Sequence, residues 1–220
     1  MTIGVIFDCD GVLLDSAHAW RDAEAELGRR AHAQVTPEDS RALAAMTIAE
    51  VGSFFHEKFG LAGSGEEVVA MIDQIMLDFY ANRVEPLAGV GDLLDDLAGL
   101  GARLSVVSST QTDLLRIGLS RAGLLERFCA VLSVEDLDTN KREPLIYRRA
   151  MEVMGTTPET TWGFDDSYYA IETMSALGIA TVGVYDALNP FELDMLRARA
   201  DQVVCDYATL DRAQFACPRQ

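Results

Sequence analysis

The sequence predicts an α/β fold, a doubly wound parallel sheet with an all-helical module inserted after the first strand. Short apolar runs of strand character alternate with stretches of helical periodicity along most of the chain. A strand, helix, strand succession produces a parallel sheet with right-handed crossovers. The interval between the first two runs, about 95 residues, is far longer than a crossover requires, and we therefore expect it to hold a module of its own.

Six apolar runs are predicted as strands, and stretches of helical periodicity accompany them. One such stretch, ahead of the second strand, has apolar residues at the i, i+3, i+4, i+7 spacing, namely Val90, Leu93, Leu94, Leu97 and Leu100. The predicted strands are residues 3–7, 103–107, 130–134, 161–164, 180–184 and 202–205.

The inserted module is predicted to be all-helical. Thr36, Pro37 and Asp39 have the pattern of an N-cap, a first-turn proline and a capping-box acid. Two apolar stripes follow at helical spacing: Val51, Phe54, Phe55 and Phe59, then Ile72, Ile75, Met76 and Phe79. We expect one domain of residues 1–16 and 84–220 and a helical domain of residues 17–83.

The composition limits the classes of partner. The chain has 220 residues, 49% of them apolar, which is enough for a substantial core. Lys and Arg total 18 against 35 Asp and Glu, a formal net charge of −17. This charge repels nucleic acid phosphates and anionic membranes, so neither is an expected partner. Small phosphate compounds are also repelled at long range, and a site for them needs its own local cation.

Cysteine usage and the lack of targeting signals favour a cytoplasmic protein. The four cysteines show no close-paired spacing, which argues against a disulfide framework and a zinc cluster. Met1 is not followed by a basic segment and a long apolar stretch, and no run approaches the ~20 apolar residues of a membrane helix. The oligomeric state is left open, and a monomer is compatible with the sequence. The cysteines are Cys9, Cys129, Cys205 and Cys217.

Residues able to carry chemistry follow four of the predicted strands. In an open parallel sheet, ligands bind beyond the carboxyl ends of the strands, so these residues are expected to converge. Each group also has an ordinary structural reading: an acidic turn, a serine N-cap, a solvated lysine or an acidic helix cap. In chain order they are Asp8 and Asp10, Ser108 and Ser109, Lys141, and Asp165 and Asp166.

Taken together, the four groups favour a magnesium site that handles phosphate. Two carboxylates held close in a partly desolvated site need a cation or a proton between them. Hard carboxylate oxygens suit Mg²⁺, and hydroxyls with free backbone N–H groups bind the oxygens of an anion. A lysine and a metal ion together offset the charge of a transferring phosphoryl group.

At these residues the chain resembles the haloacid dehalogenase-like superfamily, in its branch with a helical cap inserted after the first strand. The matching segments are DCDGVLLDS at 8–16, the serine after the second strand, KREPLIY from Lys141, and GFDDS around Asp165. The resemblance covers essentially the whole chain and implies a Rossmann-like core with a cap domain at residues 17–83. One departure is Arg142, which stands where a proline is often found.

The resemblance implies a role for each site residue. Asp8 would be the nucleophile that forms an aspartyl-phosphate, and Asp10 the general acid and base. Phosphate would be bound by Gly11, Ser108, Ser109 and Lys141. The Mg²⁺ ligands would be Asp8, Asp166 and the backbone carbonyl of Asp10. Asp165 would be a second ligand or would orient a bound water.

The implied function is that of a magnesium-dependent phosphatase acting on a small organic phosphate monoester such as a sugar phosphate. Within the family, dehalogenases lack the second acid, which is Asp10 in this chain. A phosphonatase is expected to lack this acid too and to carry a lysine in its cap. The presence of Asp10 therefore disfavours both activities. The segment from Asp15 with Trp20 and Glu24 is similar to the cap start of some hexose and hexitol phosphate phosphatases.

A phosphomutase of the beta-phosphoglucomutase type is the main alternative. Such mutases carry a basic residue in a short cap loop that holds the remote phosphate, whereas the corresponding stretch here, residues 44–49, reads AAMTIA. Arg41, Lys58 and Arg83 are the nearest basic candidates. A response-regulator receiver is disfavoured by domain size and motif order, and a silent binding protein by the presence of every motif side chain.

Overall fold

A computed structural model describes residues 2–43, 46–185 and 193–216. The chain divides into two compact units, one of Met1–Asp15 with Val84–Gln220 and one of Ser16–Arg83. Ala44 and Ala45 of the AAMTIA stretch, and Cys217, lie outside the described residues. In the described ranges, no helix combines the length and apolar character that crossing a bilayer requires.

The first unit contains a parallel sheet and the helices that connect its strands. The strands are β1 Gly4–Phe7, β2 Arg103–Ser108, β3 Ala130–Ser133, β4 Thr161–Asp165, β5 Ala180–Val184 and β6 Gln202–Val204. The helices of the second unit, α1 to α4, are Ala17–Arg30, Pro37–Leu43, Ile48–Phe59 and Gly65–Asn82. Those of the first unit, α5 to α9, are Val90–Gly99, Thr112–Arg121, Leu145–Met154, Tyr168–Ala176 and Leu193–Arg197.

The sheet has the strand order β3-β2-β1-β4-β5-β6, and every pair of neighbours is parallel. This confirms the predicted doubly wound α/β fold, because the chain builds outward from β1 in one direction and then from β4 in the other. The order reverses between β1 and β4. Ligands bind at such a switch point, beyond the carboxyl ends of the strands.

The two central strands are buried along their whole length because both of their faces are covered. Every residue of β1 and of β4 is buried, as are those of β5. Phe7 and Phe164, on neighbouring strands, stack with ring centres 4.7 Å apart. Such continuous burial is typical of a parallel sheet with helices on both faces. The sheet therefore gives the residues at its carboxyl edge a rigid support.

The helical unit follows the predicted capping pattern. Thr36 accepts a hydrogen bond from the Asp39 backbone N–H, and Asp39 accepts one from the Thr36 backbone N–H in return. Thr47 and Glu50 form a second capping box at the start of α3. Lys58, near the end of α3, forms an ion pair with Asp39. The predicted N-cap of α2 is thus confirmed, and its acid also links α2 to α3.

Candidate active site

The site residues converge because their strands are adjacent. In the register of the sheet, Phe7 is paired with Val106 of β2 on one side and with Phe164 of β4 on the other. Asp8 follows Phe7 directly, and its backbone N–H donates to the Phe164 carbonyl at 2.8 Å. Asp165, the last residue of β4, therefore lies beside Asp8. The switch point of the sheet thus carries two buried carboxylates.

Lys141 connects these two carboxylates. Its Nζ atom lies 2.7 Å from Asp8 Oδ1 and 2.8 Å from Asp165 Oδ2. All three side chains are almost completely buried, with 4%, 7% and 2% of the respective side-chain surfaces exposed. Burying a charge is costly unless it is paired, so three buried charges at this spacing form one interdependent cluster.

The loop that carries Lys141 is held at two points. The buried Tyr147 hydroxyl donates a hydrogen bond to the Lys141 carbonyl at 3.1 Å. Arg142 places its guanidinium 4.0 Å from the ring centre of Tyr169, at the start of α8. A cation over an aromatic face is favourable, and it occurs at the position where the resembling family often has proline. Arg142 thus supplies a contact that proline could not make.

Asp8 and Lys141 each shift the pKa of the other. Burial raises the pKa of Asp8 well above its usual range, the Asp165, Asp166 and Asp10 carboxylates raise it further, and Lys141 opposes them. Burial alone would lower the pKa of Lys141, but Asp165 and Asp8 outweigh burial and raise that pKa well above its usual value. The raised pKa favours the protonated form of Lys141, and the carboxylates around this single ammonium outnumber it.

The oxygen atoms around this cluster fit a hard divalent cation. One carboxylate oxygen from each of Asp8, Asp165 and Asp166 lies within 4.8 Å of the other two. All-oxygen donor sets with several carboxylates suit Mg²⁺. With Asp10 nearby, four carboxylates face a single ammonium, so the cluster has an excess of negative charge that a divalent cation would neutralise. The residues present therefore fit a magnesium ion.

The turn after Asp8 places Asp10 beside the cluster. Gly11 adopts φ +75°, a left-handed conformation that glycine favours, and its N–H donates to the Leu14 carbonyl at 2.9 Å. A Cβ on Gly11 would lie only 3.1 Å from Asp166 Oδ2. The structure thus shows a packing reason for glycine at position 11, whereas the contact of Gly11 with phosphate stays a prediction.

A tyrosine near the end of the described chain also holds this turn. The buried Tyr207 hydroxyl donates to the Val12 carbonyl at 2.8 Å, across 195 residues of sequence. Burial, with Asp166 and Asp8 nearby, raises the pKa of Tyr207, so the phenol stays protonated and able to donate. Tyr207 was not predicted as a site residue, because no motif in the sequence around it indicates a contact with the site.

The three hydroxyl residues after Val107 have different positions. Ser108 is buried, and its Oγ atom accepts from the Thr110 N–H at 3.1 Å. Ser109 is exposed. Thr110 is buried, and its Oγ1 atom donates to Asp10 Oδ2 at 2.7 Å. The prediction named Ser108 and Ser109 but not Thr110, although the run of three hydroxyl residues was the available signal.

Comparisons with known proteins agree with this architecture. The family model described as haloacid dehalogenase-like hydrolase matches residues 5–184. A validoxylamine A 7'-phosphate phosphatase of Streptomyces hygroscopicus subsp. limoneus is 27% identical over 196 residues, which cover 87% of this chain and 91% of that protein. A phosphorylated carbohydrates phosphatase of Thermotoga maritima is 23% identical over 186 residues, or 84% and 86% of the two chains.

Solved structures share the fold at low sequence identity. The crystal structure of a beta-phosphoglucomutase from Clostridium difficile superposes with a TM-score of 0.78. It is 18% identical, and the superposition covers 97% of this chain and 95% of that one. At this identity the similarity establishes the fold alone.

Proposed function

This chain belongs to the haloacid dehalogenase-like hydrolase family, as its motifs predicted, and on that premise we propose that it is a magnesium-dependent phosphatase of small organic phosphate monoesters. The observation that carries the proposal is the buried contact of Lys141 with Asp8 and Asp165 at the switch point of the sheet. Such a contact places a permanent cation beside a carboxylate that lies at a sheet edge suited to ligands.

We propose that Mg²⁺ is held by Asp8, Asp166, Asp165 and the backbone carbonyl of Asp10. When bound, the ion would add positive charge where phosphate oxygens concentrate negative charge. Lys141 contributes charge of the same sign, and its raised pKa favours the protonated ammonium. Gly11, Ser108 and Ser109 are proposed to bind the remaining phosphate oxygens.

The proposed reaction has two steps carried by Asp8 and Asp10. The Asp8 carboxylate attacks phosphorus, and the bond between phosphorus and the ester oxygen breaks. The ester oxygen leaves with the bonding electron pair and takes a proton from Asp10. Water then attacks the phosphorus of the aspartyl-phosphate and gives its proton to the Asp10 carboxylate. The bond from phosphorus to Asp8 breaks, which restores the carboxylate and releases phosphate.

The presence of Asp10 supports ester hydrolysis over dehalogenation. An alkoxide is a poor leaving group and needs a proton donor, whereas a halide leaves without protonation. Asp10 lies two residues from Asp8, is partly buried and is held by a hydrogen bond from Thr110. A side chain held at this point can serve the leaving oxygen.

The helical unit is proposed to act as the cap that selects the substrate. A sugar-like or otherwise polar phosphate ester is the proposed class, which agrees with the names of the two phosphatase relatives. Two of the basic residues considered for binding a remote phosphate are already paired inside this unit, Lys58 with Asp39 and Arg83 with Asp78. The stretch at residues 44–49 has no basic residue, and this supports hydrolysis over the mutase reaction.

Replacing Asp8 with Asn tests the proposal directly. The amide cannot attack phosphorus, so we expect phosphate release from a panel of phosphate esters to fall to background. Removing divalent ions with a chelator should have the same effect, and added Mg²⁺ should restore turnover. Activity is measured as phosphate released, and folding by thermal denaturation. Asp92→Asn, at an exposed site on α5, is the matched control and should keep full activity.

Three results would contradict the proposal. Turnover by a folded Asp8→Asn variant would exclude nucleophilic catalysis by this residue. Undiminished activity after chelation would exclude the metal. Conversion of a hexose 1-phosphate into its 6-phosphate isomer, in place of free phosphate, would establish the mutase alternative.

A further inference from the structure

The buried hydroxyl of Thr110 contacts the acid that the proposed mechanism uses to move protons. Thr110 Oγ1 donates to Asp10 Oδ2 at 2.7 Å, and the two residues are 100 positions apart in sequence. We propose that Thr110 is a positioning residue for Asp10: its hydrogen bond orients the Asp10 carboxyl group toward the ester oxygen. This inference rests on the proposed function, because it assigns a partner to the general acid of that mechanism.

Thr110 is itself held rigidly, which a positioning residue requires. Only 5% of its surface is exposed, and its backbone N–H donates to the Ser108 hydroxyl at 3.1 Å. Ser108 is the last residue of β2, whose backbone pairs with β1 and β3. Because threonine is β-branched, its χ1 angle has little freedom once the backbone is fixed. The hydroxyl of Thr110 thus has a defined direction relative to the sheet.

Asp10 belongs to a short turn, and the hydrogen bond from Thr110 ties its side chain to the loop after a neighbouring strand. Asp10 lies after the end of β1, and its segment is held by one isolated bridge with Leu14 and by the Gly11 N–H to the Leu14 carbonyl. Its side chain is only partly buried, so packing restrains it less than Asp8. A hydrogen bond to a carboxylate is short and strong, and here it connects the turn after β1 with the loop after β2.

The hydrogen bond also matches the direction of proton transfer. When Asp10 gives its proton to the ester oxygen, negative charge develops on the carboxylate that Thr110 contacts. A donor already aimed at that oxygen stabilises this charge without reorganisation. Misplacing a catalytic group by about 1 Å can cost about a hundredfold in rate, so loss of the hydroxyl should be visible in turnover.

The test compares two substrates of similar shape that differ in their need for an acid. Benzyl phosphate releases an alcohol and requires a proton, whereas para-nitrophenyl phosphate releases a stable phenolate. For Thr110→Val, which removes the hydroxyl and keeps the shape, we expect kcat/KM on benzyl phosphate, which reports only the steps up to departure of the alcohol, to fall about ten- to a hundredfold. On para-nitrophenyl phosphate we expect kcat/KM to change by about twofold or less. Thr110→Ser should restore most of the lost rate.

Control variants separate this inference from the proposed function. Asp10→Asn should show the same preference for the aryl substrate in kcat/KM more strongly, and Asp8→Asn should lose both activities. Activity in folded Asp8→Asn would overturn the proposed mechanism whatever Thr110 does. With Asp8→Asn inactive, an equal loss of kcat/KM on both substrates in Thr110→Val, or no loss of kcat/KM on benzyl phosphate, would overturn the positioning role. Should the valine variant fail to fold, Thr110→Ala replaces it, with the same expected selectivity and the same overturning results.

Discussion

Lys141 illustrates how one buried side chain can determine the charge state of a whole site. Its ammonium lies within 2.8 Å of oxygens from Asp8 and Asp165. Removing one member of a buried ion pair usually costs about 3–5 kcal/mol, because the remaining charge is left without a partner. Surface pairs such as Arg127 with Asp95 are worth at most about 1 kcal/mol by comparison. The site residues therefore depend on one another for stability as well as for chemistry.

Glu24 on α1 provides a pH-dependent prediction at the residue scale. Burial raises the pKa of this half-buried carboxyl from 4.5 to about 7, with Arg21 opposing the shift. The folded protein thus binds the proton more tightly than the unfolded chain, so stability declines as pH rises from 4.5 to 7. Glu24→Gln removes this decline. We expect the variant to gain about 1 kcal/mol at pH 8, or roughly 2–4 °C in Tm, and nothing at pH 4.

Glu26 on the same helix is the matched control for Glu24. Hydrogen bonds from Arg30 and Arg29 lower its pKa, so its contribution to stability is present above the pKa of the unfolded chain and is lost as pH falls. Glu26→Gln should therefore stabilise at no pH. Thermal denaturation of both variants between pH 4 and pH 8 provides the measurement. If the Tm of Glu24→Gln changed with pH in the same way as the Tm of the wild type across this range, the prediction would be contradicted.

At the scale of elements, two glycines allow α3 and α4 to pack closely. A Cβ added to Gly52 would lie 2.5 Å from the Gly65 carbonyl oxygen and 2.6 Å from Val69 Cγ2. The first of these atoms belongs to the backbone and cannot rotate away. The separation of the two helices is therefore set by glycine at this crossing, and a larger residue must push the helices apart.

Gly52→Ala should destabilise the helical unit, whereas Gly91→Ala should not. Overpacking of this kind costs about 1–3 kcal/mol. Gly91, near the start of α5, has open space where a Cβ would go, and alanine there should be neutral or stabilising by up to about 1 kcal/mol. Hydrogen exchange followed by mass spectrometry should show faster exchange in α3 and α4 for Gly52→Ala alone. Unchanged protection in those helices would disprove the packing argument.

At the scale of the whole molecule, the net charge of −17 opposes the approach of an anionic substrate. The Debye length falls from about 30 Å at 0.01 M salt to about 8 Å at 0.15 M, so salt screens this repulsion before it screens contacts inside the site. We expect kcat/KM for para-nitrophenyl phosphate to rise about two- to threefold over that range. NaCl and KCl should act alike. A fall in kcat/KM would mean that local positive charge governs the encounter.

Much of this fold could be predicted from the sequence, because strand and helix formation depends on local interactions. Strand and helix periodicities depend on neighbours within a few residues, so the six strands and the cap of α2 were predicted close to their observed bounds. The position of Asp8, Ser108 and Asp165 at strand ends followed from the same reasoning, because parallel strands bring their carboxyl ends to one edge. The family emerged from these motifs in their chain order, which the match over residues 5–184 supports.

Only the tertiary structure decided which side chains contact one another. The contacts of Lys141 with Asp8 and Asp165 depend on β1 and β4 being neighbours. The hydrogen bonds of Thr110 to Asp10 and of Tyr207 to Val12 span 100 and 195 residues. Such contacts leave no periodic signal in the sequence, because they arise from the packing of distant elements. The sequence by itself therefore determined the fold and the residue types of the site, and the folded chain determined their partners.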